Sequence, residues 1–145
     1  MARIETTITI NRPIEQVFSY VADYRNNIHW QTGVITAEFT SSAPIGVGST
    51  YKYDATAMGR KMETTGELTI YDPPHKIAWK STSGPFPMSG STTFEEVGGG
   101  TRLTDILEAE PGGFFKLAAP LLLRQMENQT GNDMKKLKEI LEKGV

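Results

Sequence analysis

Cysteine is absent from this sequence, and that one absence removes disulfide staples, thiolate metal sites and cysteine nucleophiles together. It fits a reducing cytoplasm, which is the expected location. Histidine is scarce: His29 and His75 are the only two, and their spacing makes no metal-ligand pair. No metal and no cofactor is therefore expected. An excess of one charge is missing too, since 15 Lys and Arg stand against 17 Asp and Glu. A nucleic-acid partner, which calls for a basic face, is not expected. Long apolar runs are lacking. The longest, Leu117 to Leu123, is interrupted by Pro120 and falls far short of the ~20 residues of a membrane span, so no stable membrane insertion is expected. Met1-Ala2-Arg3-Ile4-Glu5 passes straight into alternation, without the charged start and apolar stretch of a secretory signal. A phosphate-binding glycine loop is also missing, because Gly98-Gly99-Gly100 leads into a strand pattern rather than a helix.

What is present is a chain of 145 residues, expected to be a single domain, 1–145, with a core able to bury roughly two-thirds of its surface. Ile4, Thr6, Ile8 and Ile10 alternate with polar residues as a half-buried strand does. Asn11 then offers a helix N-cap and Pro13 suits a first turn. Ile14, Val17, Phe18 and Val21 follow at helical spacing to about Asp23, with a turn or second short helix before His29-Trp30. Six strand patterns come next: Val34–Phe39, Thr50–Ala57, Met62–Tyr71, Ile77–Thr82, Met88–Val97 and Thr101–Glu108. Gly59-Arg60, Asp72-Pro73-Pro74-His75 and Gly98-Gly99-Gly100 punctuate them as tight turns. Adjacent hairpins imply an antiparallel sheet. From Gly112 to Leu141 the period changes: Phe115, Ala119, Leu122, Met126, Thr130, Met134, Leu137 and Leu141 share one helical face. Pro120 should start, kink or break that helix, and a moving gate there competes with a fixed kink. A helix this long needs a large partner, and the sheet is the one available. The expected class is α+β, a sheet wrapped around one helix with a space left inside.

Several stretches, in order, sharpen this: Ile10-Asn11-Arg12-Pro13-Ile14-Glu15-Gln16-Val17-Phe18, Val21-Ala22-Asp23 and Trp30, then Gly46-Val47-Gly48-Ser49, Tyr71-Asp72-Pro73-Pro74-His75-Lys76-Ile77, Gly99-Gly100-Thr101-Arg102-Leu103-Thr104 and Leu137-Lys138-Glu139-Ile140-Leu141-Glu142. Together they resemble the START-related superfamily with the helix-grip fold, in its bacterial polyketide cyclase/dehydrase and lipid-transfer branch. The resemblance covers the whole chain. It implies a curved seven-stranded antiparallel sheet gripping the C-terminal helix, two short helices after the first strand, and a ligand cavity between sheet and helix. It does not imply one function, since this superfamily holds cyclases, lipid carriers, receptors and chaperone activators.

The residues that would line such a cavity are Trp30, Tyr51, Tyr53, Met62, Trp79, Met88 and Phe94 from the strand region, with Leu122 and Met126 from the helix. Methionine adapts to irregular apolar sites, and tyrosine brings an apolar body with a polar tip. The same residue types also pack ordinary cores. For the group the cavity reading is preferred, because Ala55, Ala57, Gly66, Ser81, Ser83 and Gly90 are too small to fill a curved sheet. Asp105 is the sharpest polar anomaly. If Leu103 and Leu107 face inward, alternation takes Asp105 with them, and a buried carboxyl needs a partner such as Tyr51, Tyr53 or water. The opposite register puts Ile106 inward and leaves Asp105 in solvent. Asp105 and His29, the latter at the expected cavity entrance, are the candidate catalytic groups, and for His29 the bland alternative is an exposed loop imidazole. His75 reads as a solvated turn residue. The function expected is binding of a hydrophobic or amphipathic small molecule, a lipid, polyketide or aromatic metabolite, in the internal cavity of a monomer or weak homodimer. A polyketide cyclase or dehydratase and a protein-interaction module are the alternatives.

Overall fold

The alternation of Ile4, Thr6, Ile8 and Ile10 becomes strand β1 (Ala2–Ile10) in the computed structural model, which describes residues 2–57, 59–84, 87–110 and 119–144. Helix α1 (Ile14–Ala22) follows and buries Ile14, Val17, Phe18, Val21 and Ala22. Its N-cap is Pro13 rather than Asn11, with φ −59° and ψ 147°. The proline ring holds φ near that value and pushes the residue before it out of helical space, so the helix cannot begin earlier. The Pro13 carbonyl accepts the N–H groups of Gln16 and Val17, each at 3.1 Å. Asn11 instead donates its backbone N–H to Glu142 Oε2 at 2.7 Å. A 3-10 turn (Tyr24–Asn26) and a one-turn helix α2 (Asn27–Trp30) carry the chain to the far sheet edge.

The strands β2 (Val34–Phe39), β3 (Thr50–Ala57), β4 (Arg60–Asp72), β5 (Lys76–Ser83), β6 (Met88–Val97) and β7 (Gly100–Ala109) make one sheet with β1, in the order β1-β7-β6-β5-β4-β3-β2. Every pairing is antiparallel. The first strand pairs with the last because α1 and α2 displace the next strand to the opposite edge. Register shifts between Val34 and Thr36, and at two places where β4 meets β5, bend the sheet locally. No described helix is long and apolar enough to cross a membrane.

Helix α3 (Ala119–Glu142) lies along β1 and touches α2. It runs continuously through Gly131, so the interruption expected at Pro120 falls in the first described turn. Residues 112–118, including Phe115, lie outside the described residues. The C-terminal half of α3 is packed hard: Met134, Leu137 and Leu141 are buried together with Ile10, Ile14, Phe18, Phe94 and Leu103. Glu142 pins this end, accepting from Lys138 Nζ at 2.8 Å and from the Asn11 N–H, while the Arg12 guanidinium donates to its carbonyl. No described residue of the N-terminal half is buried, and Leu121 there is largely exposed. The solid core therefore fills one end of the sheet and leaves the other end hollow.

Candidate functional site

At the hollow end the strands' inward faces and α3 enclose a cavity of about 230 Å3. The lining side chains of the strands arrive by alternation. On β7, Leu103 is fully buried in the solid end, and the next two inward positions, Asp105 and Leu107, reach the cavity. The Asp105 register left open by the sequence is thus inward. Its neighbours in the sheet are Thr6 on β1 and Thr92 on β6. Thr92 Oγ1 donates to Asp105 Oδ1 at 2.9 Å, and it is the carboxyl's hydrogen-bond partner among the described residues. The tyrosines expected in that role do not take it. Burial pushes the Asp105 pKa up to about 6, the Thr92 bond opposing it.

The wall facing Asp105 is aromatic. Tyr51 and Tyr53 lie on the inward face of β3 with ring centroids 6.1 Å apart. Tyr24 meets Tyr51 edge-on at 5.2 Å and stacks on Phe39 at 5.4 Å. Trp79 on β5 closes the group, 6.4 Å from Tyr51. Two glycines make room for these rings. Gly90 faces Trp79 across the sheet, and a β-carbon there would come within 2.8 Å of the indole. Gly66 faces Tyr51, and a β-carbon there would strike the phenol. The small residues in the strands are therefore filled partly by neighbouring rings, which fold over them. Burial raises the pKa of Tyr24, Tyr51 and Tyr53; at Tyr24 the nearby Asp105 adds to the effect, and at Tyr53 a hydrogen bond with Thr64 opposes it. All three remain neutral hydroxyls.

Helices close the remaining sides. Trp30 and Asn27 on α2 line the cavity while more than nine-tenths buried. Trp30 Nε1 and Asn27 Oδ1 have no hydrogen-bond partner among the described residues. From α3 come Met126, Thr130, Asp133 and Met134. Asp133 Oδ1 accepts both the N–H of Thr32 at 2.9 Å and its hydroxyl at 2.5 Å, and Gln129 Nε2 donates to the Thr32 carbonyl at 3.1 Å. These bonds fasten the turn after α2 to the helix. Burial raises the Asp133 pKa, opposed by both Thr32 bonds and by Lys136.

Of the residues expected to line the cavity, the fold brings together Trp30, Tyr51, Tyr53, Trp79, Met88 and Met126. Met62 shares their sheet face but pairs with Ala55, toward the β3–β4 hairpin tip, and does not border the cavity. Phe94 sits in the solid end, edge-on to Phe18 at 5.1 Å. The Leu122 side chain lies outside the described residues. His29 is exposed and does not border the cavity, since the helical step that turns Trp30 inward turns its neighbour out. His75 is an exposed turn residue whose N–H donates to the Asp72 carbonyl at 2.7 Å. Tyr24, Asn27, Thr92 and Asp133 escaped the sequence reading. Thr92 had a usable signal: counting back from the Gly98-Gly99 hairpin sets it opposite Asp105. Asp133 had none, standing among ordinary polar helix residues. No group of three or more described His, Asp and Glu side chains could hold a metal ion.

A family model described as polyketide cyclase / dehydrase and lipid transport matches residues 1–142. Among solved structures, TTHA0849 from Thermus thermophilus superposes with a TM-score of 0.85 at 23% identity, over 99% of this chain and 100% of that one. The Zhui aromatase/cyclase from Streptomyces sp. R1128 gives 0.78 at 16% identity, over 97% and 93%. A START superfamily protein from Mycobacterium smegmatis gives 0.71 at 14%, over 99% and 96%. At these identities the likeness is one of fold. No curated protein sequence matches significantly.

Proposed function

The chain belongs to the polyketide cyclase / dehydrase and lipid transport family, and from that premise we propose that it binds a hydrophobic or amphipathic small molecule in the cavity between sheet and α3. The ligand class is a lipid, polyketide or aromatic metabolite. We place the protein in the cytoplasm as a single domain, monomeric or weakly dimeric, without a cofactor. The observation that supports the reading is the division of the interior: the same sheet face that is packed solid beneath Leu137 and Leu141 opens into a cavity of about 230 Å3 beneath Met126 and Thr130. Its lining, aromatic and thioether surface with a few polar groups, is the composition of small-molecule sites. The proposed contacts are Trp30, Tyr51, Tyr53, Trp79, Met88 and Met126, joined by Tyr24 and Asp105.

Both tryptophans of the chain line the cavity, so their emission is a direct reporter. A panel of fatty acids, flavonoids and aromatic polyketides should contain members that shift this emission and raise Tm. A ligand at about one hundred times its Kd adds ~2.7 kcal/mol to stability. A panel that moves neither signal counts against the reading.

One observation favours a second reading, a cyclase or dehydratase. Asp105 titrates near 6 at the cavity wall, which suits a group that gives and takes a proton near neutral pH. On this reading Asp105→Asn keeps ligand affinity and loses turnover of a poly-β-keto substrate. A wild-type protein that binds the substrate without turning it over leaves binding as the function.

A further inference from the structure

We infer that the cavity selects its ligand by charge and hydrogen-bonding sense, taking neutral aromatic molecules that carry a hydroxyl and rejecting carboxylates, with Asp105 as the discriminating residue. The inference rests on the cavity being a ligand site, as proposed above. The charge on the walls favours this selection. Two carboxyls, Asp105 and Asp133, border the cavity, and Lys52 is the one cation among its described lining residues. Lys52 alternates outward between Tyr51 and Tyr53, and its ammonium lies 4.0 Å from both Glu38 and Glu63. A carboxylate ligand would meet a carboxyl and, among the described residues, no inward cation. Two carboxylates in one buried site cannot both stay ionised, so one would have to take up a proton.

Independently of charge, the donors and acceptors of the wall favour a hydroxyl. Asp105 Oδ1 is engaged by Thr92, and Oδ2 has no donor among the described residues. Among the described residues Asn27 Oδ1 is a buried acceptor without a partner, and Trp30 Nε1 a buried donor without one. An interior polar group left unpaired costs about 1–3 kcal/mol, so a ligand that supplies the missing partners gains that much in contrast to one that does not. A hydroxyl both donates and accepts, and can serve either kind of group. A carboxylate only accepts and an ammonium only donates. The aromatic walls, Tyr51, Tyr53 and Trp79, fit the flat ring such a hydroxyl would sit on.

A matched set on one scaffold tests this: 2-naphthol, 2-naphthoate and 2-naphthylmethylammonium, titrated against the full chain by calorimetry at pH about 7.5. Naphthol should bind at least about tenfold more tightly than naphthoate. In Asp105→Asn the gap between naphthol and naphthoate should narrow by about tenfold. If that variant does not fold, the wild type supplies the same contrast, because lowering the pH from about 8 to about 5 should narrow the gap. The groups facing Asp105 are Tyr24 from the 3-10 turn, Tyr51 and Tyr53 from β3, and Asp133 from α3, with Lys52 turned outward. Of these Asp133 is the other carboxyl, and burial raises its pKa in the same sense. Naphthoate binding as tightly as naphthol, or the ammonium binding tightest, overturns the inference and leaves the cavity reading standing. If none of the three binds and the broader panel also fails, the cavity reading itself falls.

Discussion

Asp105 stands between two demands. Alternation on β7 brings it inward between Leu103 and Leu107, and burial there favours its neutral form. Its folded pKa is raised from 3.8 to about 6, so the folded chain holds this proton more tightly than the unfolded chain does. The stability tied to that proton is fully present below the unfolded value and is lost as the pH rises through about 6. Asp105→Asn keeps an acceptor for Thr92 and removes the titration. The variant should exceed the wild type in stability by about 1–3 kcal/mol at pH 8, the low end allowing for the carboxyl's partial exposure, with the excess shrinking toward pH 4. Chemical denaturation at both pH values checks this, and an equal difference at both would show that folding does not raise the Asp105 pKa. Gly90 offers a second test at this scale. In Gly90→Ala the new β-carbon would lie within 2.8 Å of the Trp79 indole, which must then move into the cavity. Trp79 emission should shift and ligand affinity fall at least about tenfold. Unchanged emission would mean that the ring already rests elsewhere.

Helix α3 shows what a periodic pattern reveals and what it hides. The recurrence of Met126, Thr130, Met134, Leu137 and Leu141 is legible as one face in the sequence, because a helix repeats every 3.6 residues whatever it packs on. Which half meets a filled core and which a hollow is not legible, since that depends on where the sheet curves away. The two halves should therefore respond differently to truncation. Leu137→Ala, in the solid end, should cost about 2–5 kcal/mol. Met126→Ala already borders open space and should cost less than ~1 kcal/mol. Equal costs, measured by denaturation, would deny the division. The turn after α2 depends on Asp133 in a different way. Asp133→Ala removes both bonds to Thr32, and should cost about 1–3 kcal/mol while speeding exchange of the Thr32 amide. Protection unchanged at Thr32 would show that the turn is held by other contacts.

Over the whole molecule, the strand order follows from hairpins that the sequence marks with turn residues, and the antiparallel seven-stranded sheet is legible for that reason. The lining of the cavity is legible only in part. Alternation reports which face a side chain takes, so Met62 and Phe94 belong to the inward set together with Tyr53 and Trp79. Alternation does not report position along the strand. Met62 lies too far toward a hairpin tip and Phe94 too far toward the packed end. Tyr24 and Asn27 come from a segment without strong periodicity, where only the assembled fold brings them to the site.

The claim that matters most is that this cavity is where a small molecule binds, and the methionines report on it directly. Met88, Met126 and Met134 line the cavity, whereas Met62 does not. With methyl-labelled methionine, titration with hydroxylated aromatic ligands should displace the NMR signals of Met88, Met126 and Met134 together, in one saturable step, and leave Met62 in place. Signals that stay fixed, or a displacement centred on Met62, would contradict the account.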